Sequence, residues 1–196
     1  MHNSRLRPLV ITALLSAIGF VLMFLEFSLP IIPSFVKLDF SELPALIATF
    51  ALGPVWGVVV CLVKNLIHLF ITSTAGVGEL ANFLLGATFT FSAGLIYKKN
   101  KTLKGALLAS VVGSALMALM SFPINCFITY PFYAKAFMPM SVIIDMYKAI
   151  LPQADTLYKA VLIFNVPFNF IFKGILTSLI TIVVYKRLSP IIKGKR

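Results

Sequence analysis

The sequence predicts an all-α membrane protein with six transmembrane helices, both termini cytoplasmic, built as a single domain over residues 1–196. Three observations carry this expectation. Of the residues, 60% are hydrophobic and only 12% are charged, at a mean hydropathy of +1.00. Soluble domains carry about 25% charged residues, so much of this surface must face lipid. The apolar residues fall in long charge-free runs, close to the ~20 residues that cross a bilayer as a helix. The basic residues gather in short segments that an even number of crossings brings to one side.

Pro8–Leu25 is the first run. Arg5 and Arg7 precede it, as in a signal peptide, but the run is too long for a signal core and no A-x-A site follows, so it reads as a retained first helix. Leu43–Val63 is the second run, interrupted by Gly53-Pro54 and Gly57. Glycine with proline marks a turn, which splits the region into helices near 41–52 and 55–71. The first of these would cover only ~18 Å, so its outer end is expected in a protein-lined depression. The fourth span is expected near 80–97 and the fifth within Gly105–Ala134, ending at or just beyond Phe122-Pro123. The last is expected near 160–185, with Lys173 inside it.

The charges orient these spans. Arg5, Arg7, Lys98, Lys99, Lys101, Lys104, Lys186, Arg187, Lys193, Lys195 and Arg196 are 11 of the 17 basic residues and share one side of a six-span chain. Positive loops stay cytoplasmic. The six acids (Glu26, Asp39, Glu42, Glu79, Asp145 and Asp155) fall at the outer edge or in outer loops. The outer side also carries the two long loops, 27–40 and 131–159, the second rich in Phe, Tyr and Met with a short helix expected near 141–150. Long loops are functional more often than idle, so the functional opening faces outward. The net charge of +11 would suggest nucleic acid on a soluble protein; distributed this way it reports orientation in a lipid bilayer, and no nucleic-acid partner is expected.

Polar residues inside spans are functional candidates. Asn165, Asn169 and Lys173 recur at i, i+4, i+8 on one face of the last span, with Pro167 between the first two. Two amides and an ammonium suit a polar, planar ligand; the alternative is inter-helical pairing with a snorkelling lysine. Lys64, Asn65 and His68 form a second polar island, read as structural or gating rather than as a zinc site. Asn82, Gly86, Thr90 and Gly94 read as a close-packing face, with Asn82 and Glu79 near the outer mouth and within reach of a ligand. Asn125, just after Pro123, either contacts ligand or caps backbone freed by the proline. Ala13 and Ala17 form a small-xxx-small pair, as do Gly105, Ala109 and Gly113. Cys61 and Cys126 lie in apolar runs and read as small buried residues, not as a metal site or disulfide. No nucleophile–base–acid set, Walker A loop or zincin motif is present, so no catalytic residue, metal or cofactor is expected and the chain reads as a non-enzyme.

The runs Lys37-Leu-Asp-Phe-Ser-Glu-Leu-Pro-Ala-Leu, Gly53-Pro-Val-Trp-Gly, Lys64-Asn-Leu-Ile-His, Gly78-Glu-Leu-Ala-Asn-Phe and Asn165-Val-Pro-Phe-Asn, with Lys173, resemble the substrate-binding (S) components of energy-coupling factor (ECF) vitamin transporters. Within that group the chain is most similar to the riboflavin-specific type, over nearly its whole length. The resemblance implies a six-helix S component of the bacterial plasma membrane that captures riboflavin, FMN or an analogue from outside. It implies work with a transmembrane coupling subunit and two ATPase subunits, and a match of Ala13 and Ala17 to the Ala-xxx-Ala motif used against the coupling subunit. Ligand roles fall by this resemblance on Asn125, Asn165, Asn169 and Lys173, with Glu79 and Asp39 added. Three features of the residues agree: no ATP site, large outer loops, and a polar stripe that suits the edge of an isoalloxazine ring, with Phe and Tyr plentiful for stacking. The competing readings are an S component for another small vitamin and a non-transporting membrane assembly protein.

Overall fold

Eleven residues are too few to cross a bilayer, and this decides the shape of the second helix region. The computed structural model describes residues 6–193. Arg5, Lys195 and Arg196 of the basic cluster lie outside the described residues, as do the side chains of Lys186, Arg187 and Lys193. Helix α1 is Leu6–Met23. It buries Thr12, Leu15, Ser16, Gly19 and Met23 and leaves Ala13, Leu14, Ala17, Ile18 and Val21 exposed. The loop that follows contains a minimal antiparallel ribbon, β1 (Phe27–Ser28) paired with β2 (Lys37–Leu38).

Helix α2 (Glu42–Leu52) buries Glu42 and Pro44 through Phe50. At 1.5 Å per residue it is ~16 Å long, about half a hydrocarbon core, and protein surrounds it. Gly53 reverses the chain at φ 119°, a conformation that favours glycine, and its N–H bonds the Ala48 and Thr49 carbonyls. Pro54 then opens α3 (Pro54–His68) at a position where no backbone donor is needed. A side chain at Gly57 would collide with Thr49 and the Ala45 carbonyl, so this glycine permits the α2–α3 crossing.

Helices α4 (Val77–Lys99) and α5 (Leu103–Ile124) form a long hairpin around the 100–102 turn, where Thr102 Oγ1 caps the Gly105 N–H at 3.1 Å. Gly113 seats against Phe89 and Ala93, and Gly94 against Pro54, as the small-residue stripes imply. The α5 rod continues past Pro123 through a π-helical turn, Asn125–Thr129, into α6 (Tyr130–Ala136). The short helix expected in the second outer loop is α7 (Met140–Lys148). The last rod starts with α8 (Leu157–Ala160), capped by Thr156. It widens into a π segment (Val161–Asn165), passes α9 (Val166–Phe168), widens again (Asn169–Leu176) and ends as α10 (Thr177–Lys193). Pro167 lies in the short α9 turn between these two π-helical stretches.

Among the described residues, five helical stretches are long and apolar enough to cross a membrane: Leu6–Met23, Pro54–Ile71, Val77–Lys99, Leu103–Ala136 and Leu157–Tyr185; Glu42–Leu52 is apolar but shorter. The bundle ends differ. At one end the Gly53 turn, Tyr97, Lys98 and Lys101 surround a common cleft, and Tyr185 donates to the Phe50 carbonyl at 3.1 Å. At the other, the first loop and α7 meet: Phe35 packs edge-on to Tyr130 and Tyr147 at 6.0 and 5.8 Å. Ile143, Tyr147 and Ala154 are fully buried there, so the second loop is a packed cap.

Candidate functional site

Beneath that cap lies a cavity of about 400 Å³, within the size of small-molecule sites. Its walls bring together six residues predicted from the sequence: Asp39 from the first loop, Glu79 from α4, Asn125 from the π turn after α5, and Asn165, Asn169 and Lys173 from the last rod. Asn82, also noted in the sequence, lines it too, and its Oδ1 is buried without a partner. Phe35, Tyr130, Tyr133, Phe137 and Phe168 supply aromatic walls.

The polar groups of the last rod are held rather than loose. A π-helix hydrogen-bonds at i→i+5, which widens the turn and is common at functional sites. Here the two π stretches present Asn165, Asn169 and Lys173 to the same cavity. Asn165 Oδ1 accepts from Tyr147 Oη at 2.7 Å, and its Nδ2 donates to Tyr130 Oη at 2.6 Å. The two tyrosine hydroxyls are 2.5 Å apart. Asn169 Nδ2 donates to the Asn165 carbonyl and Asn125 Nδ2 to the Ser121 carbonyl, both at 2.8 Å. Asn125 thus does serve backbone near Pro123, and it lines the cavity as well.

Charges in the lining come in pairs. Lys173 Nζ lies 3.3 Å from Asp39 Oδ2, so it neither snorkels nor stands free. Burial would raise the Asp39 carboxyl, but the Lys173 and Lys64 charges and the hydrogen bonds from Ser41 bring it down to about 2. Glu79 accepts from His68 Nδ1 (2.7 Å), Thr72 (2.9 Å) and Thr74 (2.8 Å). Glu26 pairs with Lys37 across the first loop.

Lys64, read from the sequence as structural or gating, lies away from the cavity wall. It is fully buried, bonded to Glu42 Oε1 at 2.9 Å and Ser41 Oγ at 2.5 Å, while Asp39 Oδ1 accepts from the Ser41 N–H at 2.8 Å. Gly19 of α1 and Gly86 of α4 make room for this pair: a Cβ would sit 3.3 Å from Lys64 Cδ and 2.8 Å from Glu42 Oε1 respectively. A continuous set of charged and hydroxyl groups thus runs from Lys173 through Asp39 and Ser41 to Lys64.

The sequence reading missed Tyr130, Tyr147, Phe35 and the cavity-facing placement of His68 and Glu26. Tyr147 sits on a loop helix 18 positions from Asn165, and no periodicity links them. His68 follows Lys64 by one turn, which suggested a common structural role; the helix end instead puts its ring against Glu79 and within 6.3 Å of Phe20. Ala13 and Ala17 are both exposed on α1, opposite the stripe that packs against the bundle. Cys61 and Cys126 are buried free thiols.

This arrangement suits reversible binding of a planar, polar molecule between aromatic walls. The sequence profile of the ECF transporter, substrate-specific component, matches residues 7–185. The chain is 36% identical to riboflavin transporter RibU of Staphylococcus aureus (strain TCH60) over 191 residues, 95% of this chain and 93% of that protein. It is 33% identical to riboflavin transporter FmnP of Bacillus subtilis (strain 168), covering 98% of this chain and 97% of that one. A solved structure of the S component of a bacterial ECF transporter superposes with a TM-score of 0.77 at 35% identity, covering 98% of this chain and all of that one. Fold, cavity and likeness converge: the chain belongs to the family of substrate-specific components of ECF transporters.

Proposed function

We propose that this chain captures riboflavin in the 400 Å³ cavity at the outer face of the bacterial plasma membrane and hands it inward as part of an ATP-driven importer. As a family member it is a transporter component, not an enzyme. The observation that carries the ligand is the cavity lining. Asn125, Asn165, Asn169 and Lys173 offer donors and acceptors to the carbonyl and ring-nitrogen edge of an isoalloxazine, and aromatic rings offer stacking faces. Glu79 and Asp39 complete the polar set. The relatives' names point to the same ligand.

The topology proposed is a single six-span domain with both termini cytoplasmic, α2 counting as the short second span. Lys98, Lys99, Lys101 and Lys104 lie at the bundle end away from the cavity, so the positive-inside rule turns the cavity outward. The partners proposed are one transmembrane coupling subunit and two ATPase subunits, with Ala13 and Ala17 as the α1 contact; no cofactor is required beyond the transported ligand.

Riboflavin fluorescence titrated against the purified chain in detergent tests the ligand. Saturable quenching at one ligand per chain is expected. Absence of saturable quenching, or tighter binding of an unrelated vitamin, would refute the assignment.

A further inference from the structure

We propose that the cleft at the opposite end of the bundle binds the phosphate headgroup of an anionic phospholipid. The cleft measures about 330 Å³ and lies between the Gly53 turn, the first turn of α3 and the end of α4. Lys98 and Lys101 line it, and among the described residues neither is in an ion pair. The acids of the chain stand elsewhere. Glu42 and Glu79 sit in the first turns of α2 and α4, whereas the cleft is bordered by the last turns of those helices. Glu26, Asp39, Asp145 and Asp155 belong to the two loops at the capped end. The nearby backbone acceptors are engaged: the Gly53 N–H bonds the Ala48 and Thr49 carbonyls, Tyr185 bonds that of Phe50, and the Asn100 N–H bonds that of Tyr97. The first turn of α3 adds the positive end of a helix dipole. The cleft is therefore a cationic site that an anion from outside the chain completes.

The rest of the lining says which anion. Leu52, Val55 and Trp56 make one side of the cleft apolar. Val55, Leu62 and Leu66 are exposed and recur at i, i+7, i+11, an outward stripe of α3 that starts at the cleft. A headgroup seated at the two lysines can lay an acyl chain along that stripe, whereas a free phosphate uses the lysines alone. Basic pockets between transmembrane helices hold anionic headgroups in this way, and tryptophan favours the same headgroup depth. Occupancy joins the α2–α3 reversal to the end of α4 and anchors this end of the bundle in its leaflet. In the topology proposed above that leaflet is the cytoplasmic one; the site itself does not depend on the orientation.

Trp56 is the only tryptophan of the chain and lines the cleft, so its fluorescence reports occupancy. The test reconstitutes the full chain in phosphatidylcholine vesicles with rising mole fractions of brominated phosphatidylglycerol or, in parallel, brominated phosphatidylcholine. Bromine quenches an indole on contact. Phosphatidylglycerol is expected to reach half-maximal quenching at about tenfold lower mole fraction, in keeping with two lysines beside one anionic headgroup. Lys98→Gln with Lys101→Gln should bring the ratio close to one; both side chains are exposed, so the change leaves the core intact, and monodisperse elution in detergent checks it. Lys99→Gln with Lys104→Gln removes the same charge from the same end outside the cleft and should leave the preference in place. Equal quenching by the two lipids would overturn the proposal. Equal loss in both double variants would also overturn it, by showing general attraction to the leaflet in place of a site. Reversal of the quenching by excess inorganic phosphate would show a free-phosphate site and overturn the lipid assignment.

Discussion

Lys173 Nζ and Asp39 Oδ2 lie 3.3 Å apart although 134 positions separate them. The contact ties the last rod to the first loop at the cavity wall. A charged side chain in mid-bundle is costly unless paired, so the pair accounts for the tolerance of Lys173 where it stands. It also places the one lysine of the polar stripe where the first loop meets the cavity lining.

The carboxyl of Asp39 carries a pH signature. Its folded value near 2 lies below the ordinary 3.8, so the stability it contributes is complete above about pH 4 and is lost as pH falls toward 2. The difference in thermal stability between the parent and Asp39→Asn should be constant from pH 8 to pH 5 and shrink below about pH 4. Thermal unfolding in detergent across this range checks it; a difference that vanishes by pH 6 would contradict the pairing.

Tyr147 does not line the cavity, yet its hydroxyl donates to Asn165 Oδ1 at 2.7 Å. Tyr147→Phe keeps the ring and leaves a buried acceptor unpaired, a loss of ~1–3 kcal/mol. Riboflavin affinity should fall by about tenfold through loss of Asn165 orientation, measured by fluorescence quenching. Unchanged affinity would show that Asn165 needs no positioning by the second loop.

Lys64 and Glu42 form a fully buried pair at 2.9 Å. Removing one partner leaves an uncompensated charge, typically costing ~3–5 kcal/mol, whereas removing both is far milder. Lys64→Met should therefore lower the unfolding temperature sharply, and Lys64→Met with Glu42→Gln should recover most of it. A double variant as unstable as the single one would show that packing against Gly19 and Gly86, not charge, governs this region.

Much of this was legible in the sequence, for reasons that differ by element. Long apolar runs located the five long rods, because the bilayer sets their length, and Gly53-Pro54 located the α2–α3 reversal, because few other residues adopt φ 119°. The stripe of Asn165, Asn169 and Lys173 was visible because polar groups stand out in an apolar helix. The π-helical widening around Pro167 was not visible, since i→i+5 bonding leaves no periodic trace distinct from an α-helix. Nor were the partners Asp39–Lys173, Tyr147–Asn165 and His68–Glu79, which depend on how loops fold back and not on spacing along any helix.

Ala13 and Ala17 are exposed on α1, where small side chains admit a close helix. Replacing both with Leu should leave riboflavin quenching by the isolated chain intact and abolish ATP-driven uptake by the reconstituted complex. Loss of binding with assembly preserved would identify them as internal packing residues.

The most direct measurement sets the parent beside Lys173→Met in riboflavin quenching titrations, with monodisperse elution in detergent as the folding check. Methionine keeps the apolar stem and removes the ammonium that lines the cavity. The parent should saturate at one riboflavin per chain, and the variant should elute normally but bind about 5- to 150-fold more weakly, the range for one lost buried partner. A variant that binds riboflavin like the parent, or a parent that shows no saturable quenching, would contradict the account.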